Sequence, residues 1–272
     1  MCDKINIIVF TCAFCIIVFI SCNQGKTRHF DAPLPSQTEF ETDSFRYALK
    51  TEFGMCEVYI DYPRQDGSAI AHAVADYIKS SLFENSSTQV ADDPEVMVKK
   101  YCEQSIDRQK KTLEQMGIRH VDEADAPEEG MEIRKVYQSD RVVTYEVYRY
   151  SYLTNGPHGE YADYGVSFRR TDGKRIGNPV TNIDSTFYAL IREGLRQYFD
   201  IATDEELQDI CTVDIAEPPL PTFPPYLMGD GLRFHYSIYD VCRFDDGDPA
   251  FTIPYSRIMP YLSGEAKELL SQ

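Results

Sequence analysis

The chain has 272 residues and carries 44 Asp and Glu against 27 Lys and Arg, a formal net charge of −17. Such a balance repels phosphate backbones and anionic lipid headgroups, which argues against nucleic-acid binding and means that attachment to a membrane needs an anchor. With 19 Tyr and 15 Phe the sequence can still build a core, so the acidity points to solubility or a basic partner, not to disorder.

The first segment differs sharply from the rest. Lys4 precedes a nearly continuous apolar run at 5–20. That length fits a signal-peptide core and is short for a membrane span. The run ends in Phe19-Ile20-Ser21-Cys22, which resembles a bacterial lipobox. In that chemistry residues 1–21 are removed and Cys22 carries the lipid, each buried CH2 contributing roughly 0.8 kcal/mol to anchoring. The other reading is an uncleaved N-terminal helix. About 250 residues remain after cleavage, enough for one large domain or two small ones. Residues 22–43 are polar, contain Pro33 and Pro35, and read as a flexible tether. No acidic run follows Cys22, which favours the periplasmic face of the outer membrane over surface export.

Residues 45–62 alternate as an extended region, and Gly54 makes it either one bent strand or a hairpin. A helix is predicted over 66–82, with Ile70, Val74, Tyr77, Ile78 and Leu82 on one face and Asp66 or Ser68 as the cap. A second helix runs over 94–116, from Pro94 to a stop at Gly117, with Val98, Cys102, Ile106 and Leu113 on its apolar side. The acidic stretch 122–130 is a loop and the one plausible boundary, dividing a region 44–130 from a region 131–272 unless the two form a single unit. Strands follow at 131–137 and 142–153 around a Ser139-Asp140 turn. Another lies at 161–170, with Tyr164, Val166 and Phe168 on one side and an Asp172-Gly173 turn after it. Asp184 caps a helix whose apolar face is Phe187, Leu190, Ile191, Leu195 and Tyr198, and Thr203 begins another helix with Glu205 or Glu206 near its start. The proline-rich stretch 217–225 is extended, 231–241 alternates as a strand, Asp245-Asp246-Gly247 turns, 251–254 is a short strand and 255–262 a closing helical turn. Runs of strands joined by hairpins, separate from runs of helices, predict an α+β fold with an antiparallel sheet packed by helices.

Four features in order resemble the extracellular domain of the RsiV-like family of lysozyme-sensing anti-sigma factors, a domain of otherwise unknown function also found in bacterial lipoproteins. The first is the strand leading into Thr154-Asn155-Gly156-Pro157-His158-Gly159, where the family shows Gly-Gly-Ala-His-Gly. The second is the next strand with its Thr171-Asp172-Gly173-Lys174 turn, and the third the helix of 187–199. The fourth is Gly231-Leu232-Arg233-Phe234-His235-Tyr236-Ser237-Ile238-Tyr239 followed by Phe251-Thr252-Ile253-Pro254-Tyr255. The resemblance covers roughly 142–262 and, more faintly, the helices before it. It implies a fold of that type and allows a lysozyme-like ligand. The relative's cytoplasmic segment and transmembrane helix have no counterpart here, so direct anti-sigma activity is not implied.

Little in the sequence suggests catalysis. There is no Gly-rich phosphate loop, no G-x-S-x-G and no H-E-x-x-H. His158 stands between Pro157 and Gly159, with Glu160 and Asp163 close in sequence, a set that suits a general base or metal ligand. It equally suits an imidazole that fixes a tight strand connection through backbone hydrogen bonds. Asp245-Asp246-Gly247-Asp248 has the oxygens of a calcium loop but not its full spacing, and reads as a solvated turn. His235 alternates with Phe234 and Tyr236 and faces away from them. Tyr148, Tyr150 and Tyr152 share one strand face and Tyr145 takes the other; they either pack in a core or stack on a sugar or protein partner. Beyond the leader and Cys22, the cysteines are Cys56, Cys102, Cys211 and Cys242, with no zinc-type spacing. An oxidising compartment permits two disulfides in three pairings, and buried free thiols fit as well.

The expectation is a membrane-anchored envelope lipoprotein acting as a non-enzymatic binding or sensing module, with no cofactor and no metal. Its ligand is a basic, lysozyme-like protein or a cell-wall glycan, met by His158, Asn155, Glu160, Tyr148, Tyr150 and Tyr152. The alternatives are an envelope hydrolase using His158 with a carboxylate, and a purely structural envelope protein.

Overall fold

Alternating apolar residues start a hairpin. Strand β1 (Thr42–Thr51) pairs antiparallel with β2 (Gly54–Pro63), so the Gly54 region is a hairpin, not a bent single strand. On β2, Cys56, Val58, Ile60 and Tyr62 point inward while Glu57, Tyr59 and Asp61 take the other face. The computed structural model describes residues 39–83, 92–122 and 125–270, which belong to one compact unit. The leader, Cys22 and most of the tether lie outside the described residues. The tether's end differs from expectation: Phe40 is only 4% exposed, and Arg64 binds Glu41 and Asp43, so the chain is anchored to the fold before residue 43.

Two helices follow β2. Helix α1 (Ala69–Phe83) is capped by the Ser68 hydroxyl, which accepts from Ala71 N at 3.3 Å. Helix α2 (Pro94–Gln115) is capped by the Asp93 carboxylate, which accepts from Glu95 N and Val96 N. Their apolar stripes, Ile70, Val74 and Ile78 with Val98, Cys102 and Ile106, cover one face of the sheet. The chain then returns as β3 (Glu128–Gln138), beginning three residues earlier than expected and running parallel to β2. Parallel neighbours need a crossover, and the two helices supply it. Glu129 on β3 ties the crossover down by accepting from Tyr101 Oη, Ser105 Oγ at 2.6 Å and Arg108 Nη2 at 2.8 Å. Strands β4 (Val142–Tyr152) and β5 (Glu160–Arg169) complete the sheet by antiparallel pairing, giving the order β1-β2-β3-β4-β5. Residues 122–130 thus lead into a strand shared by both halves, and one sheet spans them.

A second layer forms on the other face. Helix α3 (Ser185–Phe199) starts at Asp184, whose carboxylate accepts from Phe187 N at 2.9 Å, and α4 (Asp204–Ile210) starts with a Thr203–Glu206 capping box. They pack on a three-stranded antiparallel sheet of β6 (Tyr226–Leu227), β7 (Gly231–His235) and β8 (Ala250–Pro254). Strand β6 lies over β4 and β5: Leu227 O accepts from Thr144 Oγ1 at 2.7 Å, and Leu227 N donates to Ser167 Oγ at 3.0 Å. Short helix α5 (Tyr255–Ile258), a 3-10 turn at Met259–Tyr261 and α6 (Gly264–Leu270) close the chain.

Two sequence expectations are corrected. The strand expected over 231–241 stops at His235, because Asp240 turns the chain by accepting from Ser237 N at 2.8 Å and leaves Tyr239 at a positive φ of 70°. Tyr198 is 40% exposed although its spacing places it on the apolar face of α3. Helix α6 follows the last predicted element; Ser263 caps it, and Ala266 and Leu269 bury one side. The fold class stands: a mostly antiparallel sheet packed by helices, α+β. No helix of the described residues is long and apolar enough to cross a membrane.

Candidate binding face

The helices cover one side of the five-stranded sheet, and β6–β8 cover only the β4–β5 end of the other. Strand alternation places Tyr148, Tyr150 and Tyr152 on this second, largely open side, while Tyr145 is fully buried on the first. Tyr148 is 38% exposed, so these rings are not core. In register, Tyr148 lies between Glu132 on β3 and Asp163 on β5, and Tyr150 lies beside Tyr161.

The loop after β4 folds against these rings. Asn155 adopts a left-handed φ of 62°, which Asn tolerates better than most residues, and its N–H donates to the Asp125 carboxylate. The same carboxylate accepts from Tyr152 Oη. Gly159 has no Cβ because the Tyr150 ring occupies that place. His158 stacks on Phe244, ring centroids 3.7 Å apart and planes at 22°. Its Nδ1 lies 2.9 Å from the Gly159 carbonyl and its Nε2 3.3 Å from Tyr239 Oη. Its neighbours are therefore aromatic and backbone groups. Glu160 pairs with Ser151 and projects to the helix side, where it lines a groove of about 760 Å³ with Tyr101, Arg108 and Glu129. Tyr150 lines the same groove, whereas Tyr148, Tyr152 and His158 do not.

A different histidine receives the carboxylates. His235 on β7 is 8% exposed, with Nε2 3.2 Å from Asp248 Oδ2 and Nδ1 3.6 Å from Asp163 Oδ1. Next to it, Glu146 accepts from Tyr226 Oη at 2.7 Å and faces Arg233 at 3.7 Å. Burial holds the Asp163 carboxyl above its ordinary range, against the pull of His235 and with the repulsion of Glu146 and Asp248. The phenols of Tyr148, Tyr161 and Tyr198 are raised first by burial, and all three feel the Asp248 charge. By register Tyr148 stands beside Asp163 and Tyr161 lies two residues along the same face, while Tyr198 Oη reaches Gly247 next to Asp248, so the three tyrosines flank a pair of carboxylates that share one imidazole. Elsewhere on this face the charges are matched locally: Arg46 with Glu57, Arg134 with Glu132, and Asp61 accepting from Tyr59, Ser44 and Lys135 N. The tyrosine-flanked pair is where this face can hold an added positive charge, through carboxylates and aromatic faces together. Alternation puts His235 opposite Phe234 and Tyr236 in the sequence, but its partners come from β5 and from the Asp248 turn, which no local spacing connects. Among the described residues no group of three or more His, Cys, Asp and Glu side chains is placed to hold a metal ion.

No protein-family model matches this sequence, and no curated protein matches it. Solved structures do. A DUF3298 family member from Bacteroides fragilis superposes with a TM-score of 0.63 at 21% identity, over 86% of this chain and 98% of that one. A DUF3298 family protein from Pseudomonas aeruginosa PAO1 does so with a TM-score of 0.57 at 14% identity, over 85% and 97%. The chain has the fold of DUF3298 family proteins. Those matches run nearly the full length of both relatives, so the N-terminal hairpin, the helical crossover and the second layer belong to one shared architecture, that of a domain of unknown function.

Proposed function

We propose that this chain is a cell-envelope lipoprotein, anchored through Cys22 at the periplasmic face of the outer membrane, whose folded part is a non-enzymatic binding or sensing module for a basic protein. The observation that carries this reading is the carboxylate pair Asp163 and Asp248, sharing His235 and flanked by Tyr148, Tyr161 and Tyr198 on an open sheet face. Interface hot spots are rich in tyrosine, and a chain of net charge −17 draws a basic partner by long-range attraction. The RsiV-like resemblance makes a lysozyme the first ligand to try. His158 serves this module as a loop fastener, packed on Phe244.

The test is equilibrium binding of the chain from Asn23 onward to a lysozyme, at low and moderate salt. Saturable binding that weakens with salt is expected. Tyr148→Ala should weaken it about tenfold, an effect of hot-spot size. Absence of binding by folded protein, or a flat salt response, rejects a basic ligand. A second reading, a glycan ligand, is favoured by the helix-side groove, where Arg108, Glu129 and Glu160 set hydrogen-bonding groups beside the half-buried rings of Tyr150 and Tyr161. Binding of peptidoglycan fragments that survives Tyr148→Ala and is lost in Arg108→Ala would select it.

A further inference from the structure

Four cysteines lie among the described residues, and all four are buried free thiols. They fall into two pairs. Cys56 on β2 and Cys102 on α2 face each other in the first hydrophobic cluster, where the Cys102 thiol donates to the Cys56 carbonyl at 3.6 Å and to the Tyr47 carbonyl at 3.8 Å. Contact with the Cys56 thiol, and then burial, raise the Cys102 pKa. Cys211 and Cys242 lie in the second cluster. They flank a backbone hydrogen bond, Thr212 N to Val241 O at 2.8 Å, which brings the two chain segments side by side. Burial pushes both thiols up to about 11, and Cys211 is one of the groups that Cys242 feels.

We infer that the fold selects one of the three possible pairings, Cys56–Cys102 with Cys211–Cys242, and that both are disulfides in the exported protein. The other two pairings each join cysteines from different hydrophobic clusters, with the five-stranded sheet between them. Disulfide geometry needs Cα atoms within about 7 Å, which only neighbours in one cluster meet without rebuilding a core. Each bond would fasten a strand or loop to a helix: β2 to α2, and the end of α4 to the segment after β7. The reaction is exchange. Two protein thiols and the disulfide of an envelope dithiol oxidase, or glutathione disulfide, give one protein disulfide and two reduced thiols. Buried, high-pKa thiols react slowly, so oxidation accompanies folding instead of following it.

The occurrence of the bonds in the cell rests on the envelope reading, whereas the choice of partners rests on the fold. The experiment separates them. The full chain with its own leader is expressed in a bacterial host, fractionated, denatured, alkylated without reduction, and mapped by mass spectrometry. Protein in the membrane fraction should show no alkylation at Cys56, Cys102, Cys211 or Cys242, and two linked peptide pairs, 56–102 and 211–242. In Cys102→Ser, Cys56 alone should become alkylatable while 211–242 persists. Membrane-bound protein with four alkylated cysteines, or any peptide linking the two clusters, overturns the inference. If the chain instead stays in the cytosol, the envelope reading fails, and refolding in a glutathione redox buffer tests the pairing by the same map: the two named links support it, and cross-links or free thiols reject it.

Discussion

Gly165 lies under the ring of Tyr226, and a Cβ at that position would overlap the ring carbons. The contact is where β6 settles onto β5, and it also holds the Tyr226 hydroxyl on Glu146. Gly165→Ala should therefore destabilise the protein by about 1–3 kcal/mol, as overpacking does, read as a lower urea midpoint at unchanged slope. An unchanged midpoint would mean that the ring gives way freely. Tyr148, Tyr150 and Tyr152 were legible as one face because strand alternation is strictly local. That this face is open was not, since openness depends on how far β6–β8 extend across the sheet. Tyr198 misled for a related reason: helical spacing aligns it with Leu195 and Ile191, yet its hydroxyl reaches the Gly247 turn at the rim of the acidic pair.

At the level of elements, the short helix α4 depends on its first turn. Thr203 Oγ1 accepts from Glu206 N at 3.2 Å, and the Glu206 carboxylate accepts from Thr203 N at 2.9 Å. Backbone donation from Thr203 and Ala202, with the Thr203 hydroxyl, holds the Glu206 carboxyl below its ordinary 4.5. A carboxyl with a lowered folded pKa contributes stability above its unfolded pKa and loses it as pH falls through the folded value. Thr203→Ala should cost about 1 kcal/mol at neutral pH. Glu206→Gln should remove the part of the acid-dependent loss that falls below about pH 4.5, measured by urea unfolding across pH. Equal pH profiles for Glu206→Gln and wild type would show that the box is not formed in solution. Helices α1 and α2 were legible because Ile70, Val74, Ile78 and Leu82, then Val98, Cys102, Ile106 and Leu113, keep helical period over several turns. The end of strand β7 was not legible because alternation continues through Tyr236 and Ile238, while a single side chain, Asp240, diverts the backbone.

Across the described residues, two hydrophobic clusters meet along a polar seam. Thr144 and Ser167 bond to each other at 2.8 Å and both bond to Leu227. Glu265 on α6 reaches back to Arg169 at 3.4 Å and Lys174 at 3.0 Å, and Arg141 donates to Glu268 O at 2.6 Å. Such a seam couples the clusters, since opening one strips partners from buried hydroxyls of the other. Ile133→Ala in the first cluster and Leu195→Ala in the second should each cost about 2–5 kcal/mol. Both should lower one common unfolding transition, coincident by far-UV circular dichroism and tyrosine fluorescence. A two-step curve in either variant would show that the clusters melt separately. The α+β class was legible from the segregation of strands and helices. The parallel β2–β3 pair was not, because strand register across a long crossover carries no local signal.

That pairing also sets the order in which the protein can assemble. Synthesis delivers β1 and β2 well before β3, with both helices made in between, yet the partner of Val58 on the inner side of the sheet is Met131. Until β3 arrives, β2 is an unpaired edge with an apolar inner face, the situation in which nascent chains aggregate or recruit help. This closure, which brings β3 back to β2 across both helices, is a long-range contact of the kind that slows folding, and an interruption between residues 64 and 127 would leave β2 without its partner.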